Sequence, residues 1–222
     1  MREFGKKKTR LSYSAISLWQ RDKEGYRRRY YEGEPFISTP YTDFGNYIGD
    51  SLETGELVSP TLEKVPRYSE MEFKIERTIG DVPMICYLDS FDPTNLKILE
   101  YKTSIVNRHG VEPWSRLAVR KHTQLTIYAL AVREMFGDYN PDLQLVWMET
   151  CWGKSVHQVI FGSKVMTEER PGLRLTGRVE IFDRHIESWE LDRMAGIVQE
   201  VAEDISKDYI LWKKTNKKSQ TK

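Results

Sequence analysis

The sequence predicts an α/β fold, a mixed β-sheet flanked by helices, and three observations favour it. Three strand-like runs follow one another between residues 72 and 103. A long segment with apolar side chains at helical spacing comes next, from about Ser115 to Phe136, and further strand-like runs come after it. Strands that alternate with helices of this length are typical of a sheet that helices cover.

The N-terminal part is predicted to be helical with a break in the middle. Ser14 has the side chain of an N-cap, for a helix that carries Trp19 on its apolar side. An aromatic and basic run from Tyr26 to Tyr31 follows, and glycine and proline interrupt the chain at 33–40. A second short helix is expected from about 42 to 53.

A three-stranded meander is predicted next. From Glu72 to Ile79 apolar and polar side chains alternate, and Gly80-Asp81 supplies a hairpin turn. Met84–Leu88 is apolar on both faces, as in a buried central strand. Asp92-Pro93-Thr94-Asn95 forms a second turn, which leads into a third strand over 96–103.

The second half of the chain alternates in the same way. The helix that begins near Ser115 is expected to stop at Gly137, a residue type that helix ends favour. No internal repeat or low-complexity linker interrupts the rest of the chain. The predicted bounds are 143–151 and 156–161 for two strands, 162–177 for a loop, 178–182 for a short strand and 185–206 for the final helix.

Composition indicates one domain with its own core. The chain has 222 residues and a net charge of +1, so its overall charge gives no indication of a polyanionic partner. Its basic residues nevertheless gather in clusters, including both ends of the chain, and this favours a local basic surface. We expect a basic N-terminal arm over 1–10, a single domain over 11–212 and a basic C-terminal tail over 213–222, with solvated, mobile ends as the simpler interpretation.

Several classes of protein are disfavoured. The two cysteines, Cys86 and Cys151, have no metal-ligand spacing and are too few for a secreted disulfide framework. The four histidines share no spacing that indicates zinc. No apolar run is long enough to cross a membrane, and the N-terminus lacks the apolar core of a signal peptide. We therefore expect an intracellular, cytoplasmic protein without a membrane partner.

Two neighbouring predicted strands carry the residues that point to chemistry. Asp89 ends the central strand, and Glu100 and Lys102 end the next. A spacing of two places Glu100 and Lys102 on the same face of a strand. Such a pair in an apolar segment is costly to bury unless a cation or a substrate compensates it. A surface Glu–Lys pair at a strand end is the ordinary alternative.

With its flanking segments this arrangement resembles the PD-(D/E)XK nuclease superfamily, in its RecB-like and phage exonuclease-like branch. The resemblance spans roughly residues 11–205, although the sharp motifs lie within 70–128, and it implies a restriction-endonuclease-like core. The matching residues are Ser12-Tyr13-Ser14 near the start, an upstream acid (Glu72, with Glu70 and Glu76 as alternatives), Asp89, Glu100-Tyr101-Lys102, and Gln124 and Tyr128 four apart on a helix.

The resemblance also implies a cofactor, Mg²⁺ with Mn²⁺ as a substitute. Magnesium prefers hard oxygen ligands and is commonly held by one or two carboxylates plus waters. An iron–sulfur cluster, which some relatives bind through four cysteines, is not expected because this chain has two. The implied metal ligands are Asp89, Glu100, the main-chain carbonyl of Tyr101, and Glu72; the implied catalytic residues are Asp89, Glu100, Glu72, Lys102 beside the attacking water, and Gln124.

Residues outside this set are candidates for contacting nucleic acid. The resemblance implies that Tyr128 lies against the nucleic-acid backbone, and packing is the alternative. Basic side chains one helical turn before Gln124, hydroxyls after Lys102, and arginines between aromatics have the chemistry to contact phosphates, while strand-end hydrogen bonds and core packing are simpler roles. These candidates are Arg120, Lys121, Thr103, Ser104, Arg27 and Arg28.

One departure from the family pattern bears on activity. Many relatives place a histidine in the second helix where this chain has Gly49, followed by Asp50 as a substitute ligand. The resemblance still implies a metal-dependent deoxyribonuclease, an exonuclease in DNA end processing, recombination or degradation. An endonuclease acting on DNA or RNA and an inactive nucleic-acid-binding protein remain the alternatives.

The resemblance has consequences for partners and location as well. It implies DNA as the substrate, and a homo-oligomer or a recombination protein as a partner. The compact form is similar to phage-encoded members, so the expected location includes the cytoplasm of a phage-infected bacterium.

Overall fold

One mixed β-sheet organises the fold, and helices cover both of its faces. The structure, a computed structural model, describes residues 2–56, 58–137, 140–161 and 164–219. A π-helical turn follows the second helix, and a 3₁₀ turn precedes the first strand. The elements are α1 (Tyr13–Arg21), α2 (Lys23–Arg27), α3 (Pro40–Thr54), β1 (Glu70–Ile79), β2 (Val82–Asp92), β3 (Lys97–Ile105), α4 (Arg116–Arg120), α5 (Thr123–Phe136), β4 (Asp142–Phe161), β5 (Lys164–Arg184) and α6 (Ser188–Ser219).

The strands lie in the order β1-β2-β3-β4-β5. All neighbours are antiparallel except β3 and β4, which are parallel and are joined through α4 and α5. A parallel pair requires a crossover of this kind, because a tight turn can only reverse the chain. The predicted α/β class, with a mixed sheet flanked by helices, is confirmed, and so is the three-stranded meander.

Each face of the sheet has its own apolar cluster. The larger cluster packs α1, α5 and α6 on one face and includes the buried side chains of Trp19, Leu130 and Ile205. The smaller cluster packs α3 on the other face through Ile48 and Leu52. Burying one large apolar side chain stabilises a fold by about 1.5–3 kcal/mol, so both faces are held firmly against the sheet.

Both ends of the chain are more structured than the sequence indicates. Phe4 is fully buried and the Lys6 amide donates to the Tyr30 carbonyl at 2.7 Å, so this part of the predicted N-terminal arm packs against the domain. Ser12, rather than Ser14, caps α1, since its hydroxyl accepts from the Ala15 amide at 3.4 Å. At the other end α6 continues to Ser219, through most of the predicted tail. The division into arm, domain and tail stays a prediction.

The long helix predicted from Ser115 is in fact two. α4 ends at Arg120 and α5 begins at Thr123. Arg184 reaches the break from β5, where its guanidinium donates to the carbonyls of Val119 at 3.3 Å and His122 at 2.9 Å. Carbonyls at a helix end need such partners, and the partner here is remote in sequence.

β4 and β5 are longer than predicted. The two strands expected at 143–151 and 156–161 are one continuous strand, and its partner occupies most of the expected loop; residues 162 and 163 lie outside the described ranges. Pro171 and Gly172 pair with Lys154 and Gly153. β5 is an edge strand, and edge strands tolerate proline and glycine that a central strand excludes.

Candidate active site

The candidate site lies where β2 and β3 separate. Their pairing ends at Ser90 and Leu99, and one position further Asp89 faces Glu100. The Tyr101 amide donates to the Asp89 side chain, with 2.6 Å between N and Oδ2. β3 stays paired with β4 on its other side along its whole length. The two strands therefore separate at this point while β3 stays paired within the sheet. We call the gap between β2 and β3 the fork, and it places the carboxyl groups of Asp89 and Glu100 side by side.

Glu72 reaches the same fork from β1. It stands opposite Asp89, since the pairs on either side are Met71 with Ser90 and Phe73 with Leu88. Its φ of 47° is left-handed, which is rare for a residue with a side chain. Met71 and Phe73 should share one face of a regular strand, yet they pack into the clusters on opposite faces. β1 thus turns over at Glu72, and this turns the carboxylate toward the fork.

The fork forms the floor of a cleft of about 720 Å³, and α3 forms its opposite wall. On α3 the lining residues recur at helical spacing. They include Gly45 and Gly49, which have no side chains to project into the cleft. The cleft is lined by Tyr41, Thr42, Gly45, Asn46, Ile48, Gly49, Asp50 and Glu53 of α3 and by Met71, Glu72, Asp89, Glu100, Tyr101, Lys102, Thr103, Gln124 and Met148.

A hydrogen-bonded chain links the strand residues to α5. The Lys102 ammonium donates to Glu100 Oε1 and to Gln124 Oε1, the latter at 3.1 Å. Gln124 in turn donates to the Tyr128 hydroxyl at 2.9 Å. Glu100 is only 1% exposed, whereas the Lys102 side chain is 27% exposed and reaches the cleft. The predicted common face of Glu100 and Lys102 is confirmed.

The acids of the site hold protons more tightly than usual. Burial, reinforced by the nearby charge of Asp89, raises the pKa of Glu100 to about 8. The pKa of Asp89 is also raised by burial, although Lys102 and the Tyr101 amide oppose the rise. Glu72 stands at the solvent side of the cleft, yet the surrounding protein and the charge of Asp89 raise its pKa to about 7. Burial is the larger cause in each case, so these acids are costly to ionise here, and a bound cation would stabilise their carboxylate forms.

Lys102 keeps its charge in this setting. Burial alone would lower its pKa, but the charges of Glu100 and Asp89 outweigh that effect and raise the pKa above its ordinary value. An ammonium that stays protonated provides a fixed positive charge at the floor of the cleft. Its hydrogen bonds to Glu100 and Gln124 restrict the position of the ammonium group.

The donor set fits a magnesium ion. Glu100 Oε2 is buried and lacks a hydrogen-bond partner in the structure, which leaves one oxygen free to bind a cation. Within the described ranges no three Asp, Glu, His or Cys side chains are grouped as a complete ligand set. Magnesium does not need one, because it commonly keeps several waters beside one or two carboxylates. Asp89 and Glu100 would be those two, and ligation by Glu72 and the Tyr101 carbonyl stays a prediction.

The predicted nucleic-acid contacts divide into two groups. Thr103 lines the cleft. Ser104 has a buried hydroxyl, and Tyr128 is buried with its hydroxyl accepting from Gln124. In this arrangement Tyr128 supports the Gln124–Lys102 chain from behind, which corresponds to the packing alternative. A direct contact of Tyr128 or Ser104 with nucleic acid stays a prediction that the structure does not favour.

The four basic candidates do not line the cleft. Arg120 and Lys121 lie on a separate groove beside α6, because the break after α4 removes them from the Gln124 face. Arg27 forms a two-pronged ion pair with Asp208, at 3.0 and 2.5 Å, and Arg28 lies 3.3 Å from Glu34. These arginines tie the N-terminal helices together and to α6. Contact of Arg120, Lys121, Arg27 and Arg28 with nucleic acid stays a prediction.

Sequence reasoning missed the α3 wall, apart from Asp50. Tyr41, Asn46 and Glu53 line the cleft without having been singled out. The available signal was the spacing of Gly45, Gly49 and Glu53, which places small and acidic residues on one helical stripe. Glu76, an alternative upstream acid, is instead paired with Lys74 and Arg10.

Comparisons with known proteins give fold likenesses only. No protein-family model and no curated protein matches the chain. The solved structure SSO0001 is 14% identical with a TM-score of 0.43, over 88% of this chain and 78% of that one. A phage related exonuclease from Haemophilus somnus 129PT is 14% identical with a TM-score of 0.47, over 88% and 79%. At this level neither structure carries residue roles to this chain.

Within the described ranges, none of the helices combines the length and the apolar character that crossing a bilayer requires.

Proposed function

We propose that this protein is a metal-dependent deoxyribonuclease that hydrolyses phosphodiester bonds at the strand fork. One observation carries the proposal: the buried carboxyl group of Glu100, paired with the half-buried Lys102, stands beside Asp89 on the floor of an open cleft. A structural ion pair would not need the fork, the free Glu100 oxygen or a second carboxyl group, Asp89, beside it. Hydrolysis of a phosphodiester makes use of all three.

Magnesium, when bound, lowers the pKa of a ligated water and neutralises charge on the phosphate. Asp89 and Glu100 would hold the ion. Lys102 would orient the attacking water and offset charge that develops on the phosphate, and a compact ammonium suits that role as a point charge. Gln124, braced by Tyr128, keeps the lysine aimed at the cleft.

The proposal extends to the type of cut. We favour an exonuclease of the RecB-like and phage exonuclease-like branch, on the strength of the motif order Glu72, Asp89, Glu100-x-Lys102 and Gln124. DNA is then the partner, and action on ends in recombination or degradation is the expected context. Gly49 in place of a histidine is the observation that favours the rival, an inactive nucleic-acid-binding protein.

Linear, circular and single-stranded DNA, each incubated with Mg²⁺ or Mn²⁺, test the proposal. We expect degradation of linear DNA and a loss of at least about 100-fold in rate for Lys102→Ala, the scale seen when a charge-stabilising group is removed from a site. Lys97→Ala, on the same strand but away from the fork, is the matched control and should retain activity. Cutting of closed circles would replace exonuclease by endonuclease. No cutting of any substrate in either metal would favour the binding protein.

A further inference from the structure

Two exposed aromatic side chains form a corner beside the cleft that the proposed chemistry does not use. Tyr41 lies in the first turn of α3 and is 51% exposed, and Trp152 lies on β4 and is 52% exposed. The Trp152 indole N–H donates to the Tyr41 hydroxyl at 3.1 Å. Their ring centres are 5.9 Å apart and the ring planes meet at 81°. Perpendicular rings fixed by a hydrogen bond present two flat apolar surfaces at a right angle.

The corner stands at the mouth of the cleft. Tyr41 is itself one of the lining residues, on the wall that faces Glu100 and Lys102. Pairing between β3 and β4 ends at Ile105 and Thr150, so Trp152 lies just past the last pair, on a part of β4 that pairs with β5. A chain that extends from the fork toward the N-terminal end of α3 therefore reaches Tyr41 and its partner Trp152.

The chemistry of the corner favours a nucleobase. Half-exposed tryptophan and tyrosine leave apolar surface in water, and burying it against a flat partner is favourable. Bases stack on such side chains with little dependence on sequence. Bases inside a duplex are stacked on each other, so only an unpaired base can occupy the corner.

We propose that Tyr41 and Trp152 bind an unpaired nucleobase of the strand whose backbone occupies the cleft. The inference rests on the proposed function and refines it. The substrate it names is a single strand, or a duplex end with an unpaired nucleotide beside the phosphate to be cut. The aromatic corner then positions the strand, and the fork carries out the reaction.

Binding of a labelled single strand in EDTA tests this without any cleavage. A strand of about twelve nucleotides is long enough for a groove of this kind. Trp152→Leu keeps apolar bulk but lacks a π face, and it should weaken binding about tenfold, the effect of losing one stacked base. Trp152→Phe keeps a π face and should bind within about threefold of the unaltered protein.

Trp189→Leu is the matched control, because Trp189 is 60% exposed on the groove beside α6 and away from the cleft. It should bind as the unaltered protein does. Equal binding by the Trp152→Leu and unaltered proteins, or an equal loss with Trp189→Leu, would overturn the proposal. So would a failure of the unaltered protein to bind the strand.

Cleavage with Mg²⁺ is scored separately from binding. Tryptophan-dependent binding without cleavage would contradict the proposed nuclease activity and support base binding by Tyr41 and Trp152. Cleavage by the unaltered protein, with unchanged binding by Trp152→Leu, would contradict base binding at the aromatic corner and support the nuclease activity.

Discussion

Glu100 is the residue on which the site depends most. Its side chain is buried, and burial together with the nearby Asp89 raises its pKa. Its Oε2 atom has no hydrogen-bond partner. An acid in such a position destabilises the fold when it ionises, unless a cation compensates it. Lys102 compensates Glu100 only in part, because the pKa of Glu100 stays raised, and a bound metal ion would relieve the remaining cost.

Stability should reveal this cost through its dependence on pH. In the metal-free protein the pKa of Glu100 is raised from its ordinary 4.5 to about 8. Its contribution to stability is therefore fully present below about pH 4.5 and is lost as pH rises toward 8. We expect the melting temperature, relative to that of Glu100→Gln, to fall between about pH 5 and pH 8. Thermal unfolding of both proteins across this range measures it.

Magnesium should reverse the trend, because it competes with the proton on Glu100. The increase in melting temperature on adding Mg²⁺ should be larger at pH 8 than at pH 6 for the unaltered protein. Glu100→Gln should show little increase at either pH. A melting-temperature difference between the two proteins that stays constant with pH would show that Glu100 titrates normally.

At the scale of elements, α3 decides how much room the site has. A Cβ atom built at Gly49 meets nothing within 4 Å, and at Gly45 it meets only the Thr103 hydroxyl at 3.4 Å. Glycine inside a helix costs about 0.5–1 kcal/mol relative to alanine, and no close contact on the lining side explains Gly49. Its effect is to leave the cleft open at the position where the family resemblance places a histidine.

Gly49→His should fit and should bind metal. We expect affinity for Mn²⁺ to rise roughly tenfold, about 1.4 kcal/mol, because a neutral imidazole nitrogen is a common metal ligand and would add to the two carboxylates. Titration calorimetry with Mn²⁺ measures it. Gly49→Ala is the control, since it also replaces the glycine and gains at least as much helix propensity, but adds no ligand. Similar affinities of the two variants would mean that position 49 does not face the bound ion.

Sequence patterns correctly predicted the structural features that depend on interactions between residues close in the chain. The turn at Asp92 forms as expected, with the Asp92 carboxylate accepting from the Thr94 and Asn95 amides. The break between α4 and α5 was not predictable, because apolar spacing continues through it and the stabilising group, Arg184, comes from β5. The left-handed backbone of Glu72 was equally hidden, since neither neighbour marks it. The break results from a tertiary contact, and the conformation of Glu72 has no signature in the residues around it.

At the scale of the whole molecule, the two ends of the chain share one core. The larger cluster includes both Phe4 and Tyr209. Trp19 donates to Asp204 at 2.9 Å, and the Tyr31 hydroxyl donates to the Ile205 carbonyl at 3.2 Å, so α1 and the π-helical turn are fastened to α6. The resemblance to a nuclease core begins near residue 11, whereas the packing begins at Phe4.

Phe4 gives a direct test of this view, because the sequence alone placed it in a basic arm. Its side chain is fully buried, and its carbonyl accepts from the Tyr26 hydroxyl at 2.9 Å. Phe4→Ala should lower the free energy of unfolding by about 3–5 kcal/mol, as expected for removal of a buried ring. Denaturant unfolding followed by circular dichroism measures the change.

Phe36→Ala is the matched control for the same substitution, since Phe36 is 57% exposed. Its effect should stay below about 1 kcal/mol, because surface substitutions remove little packing. Equal stability of the two variants would mean that residues 1–10 behave as a detached arm. A large loss confined to Phe4→Ala would mean that any shortened form starting near residue 11 lacks part of the core. In that case, a loss of nuclease activity in such a form could come from unfolding and would say nothing about the fork.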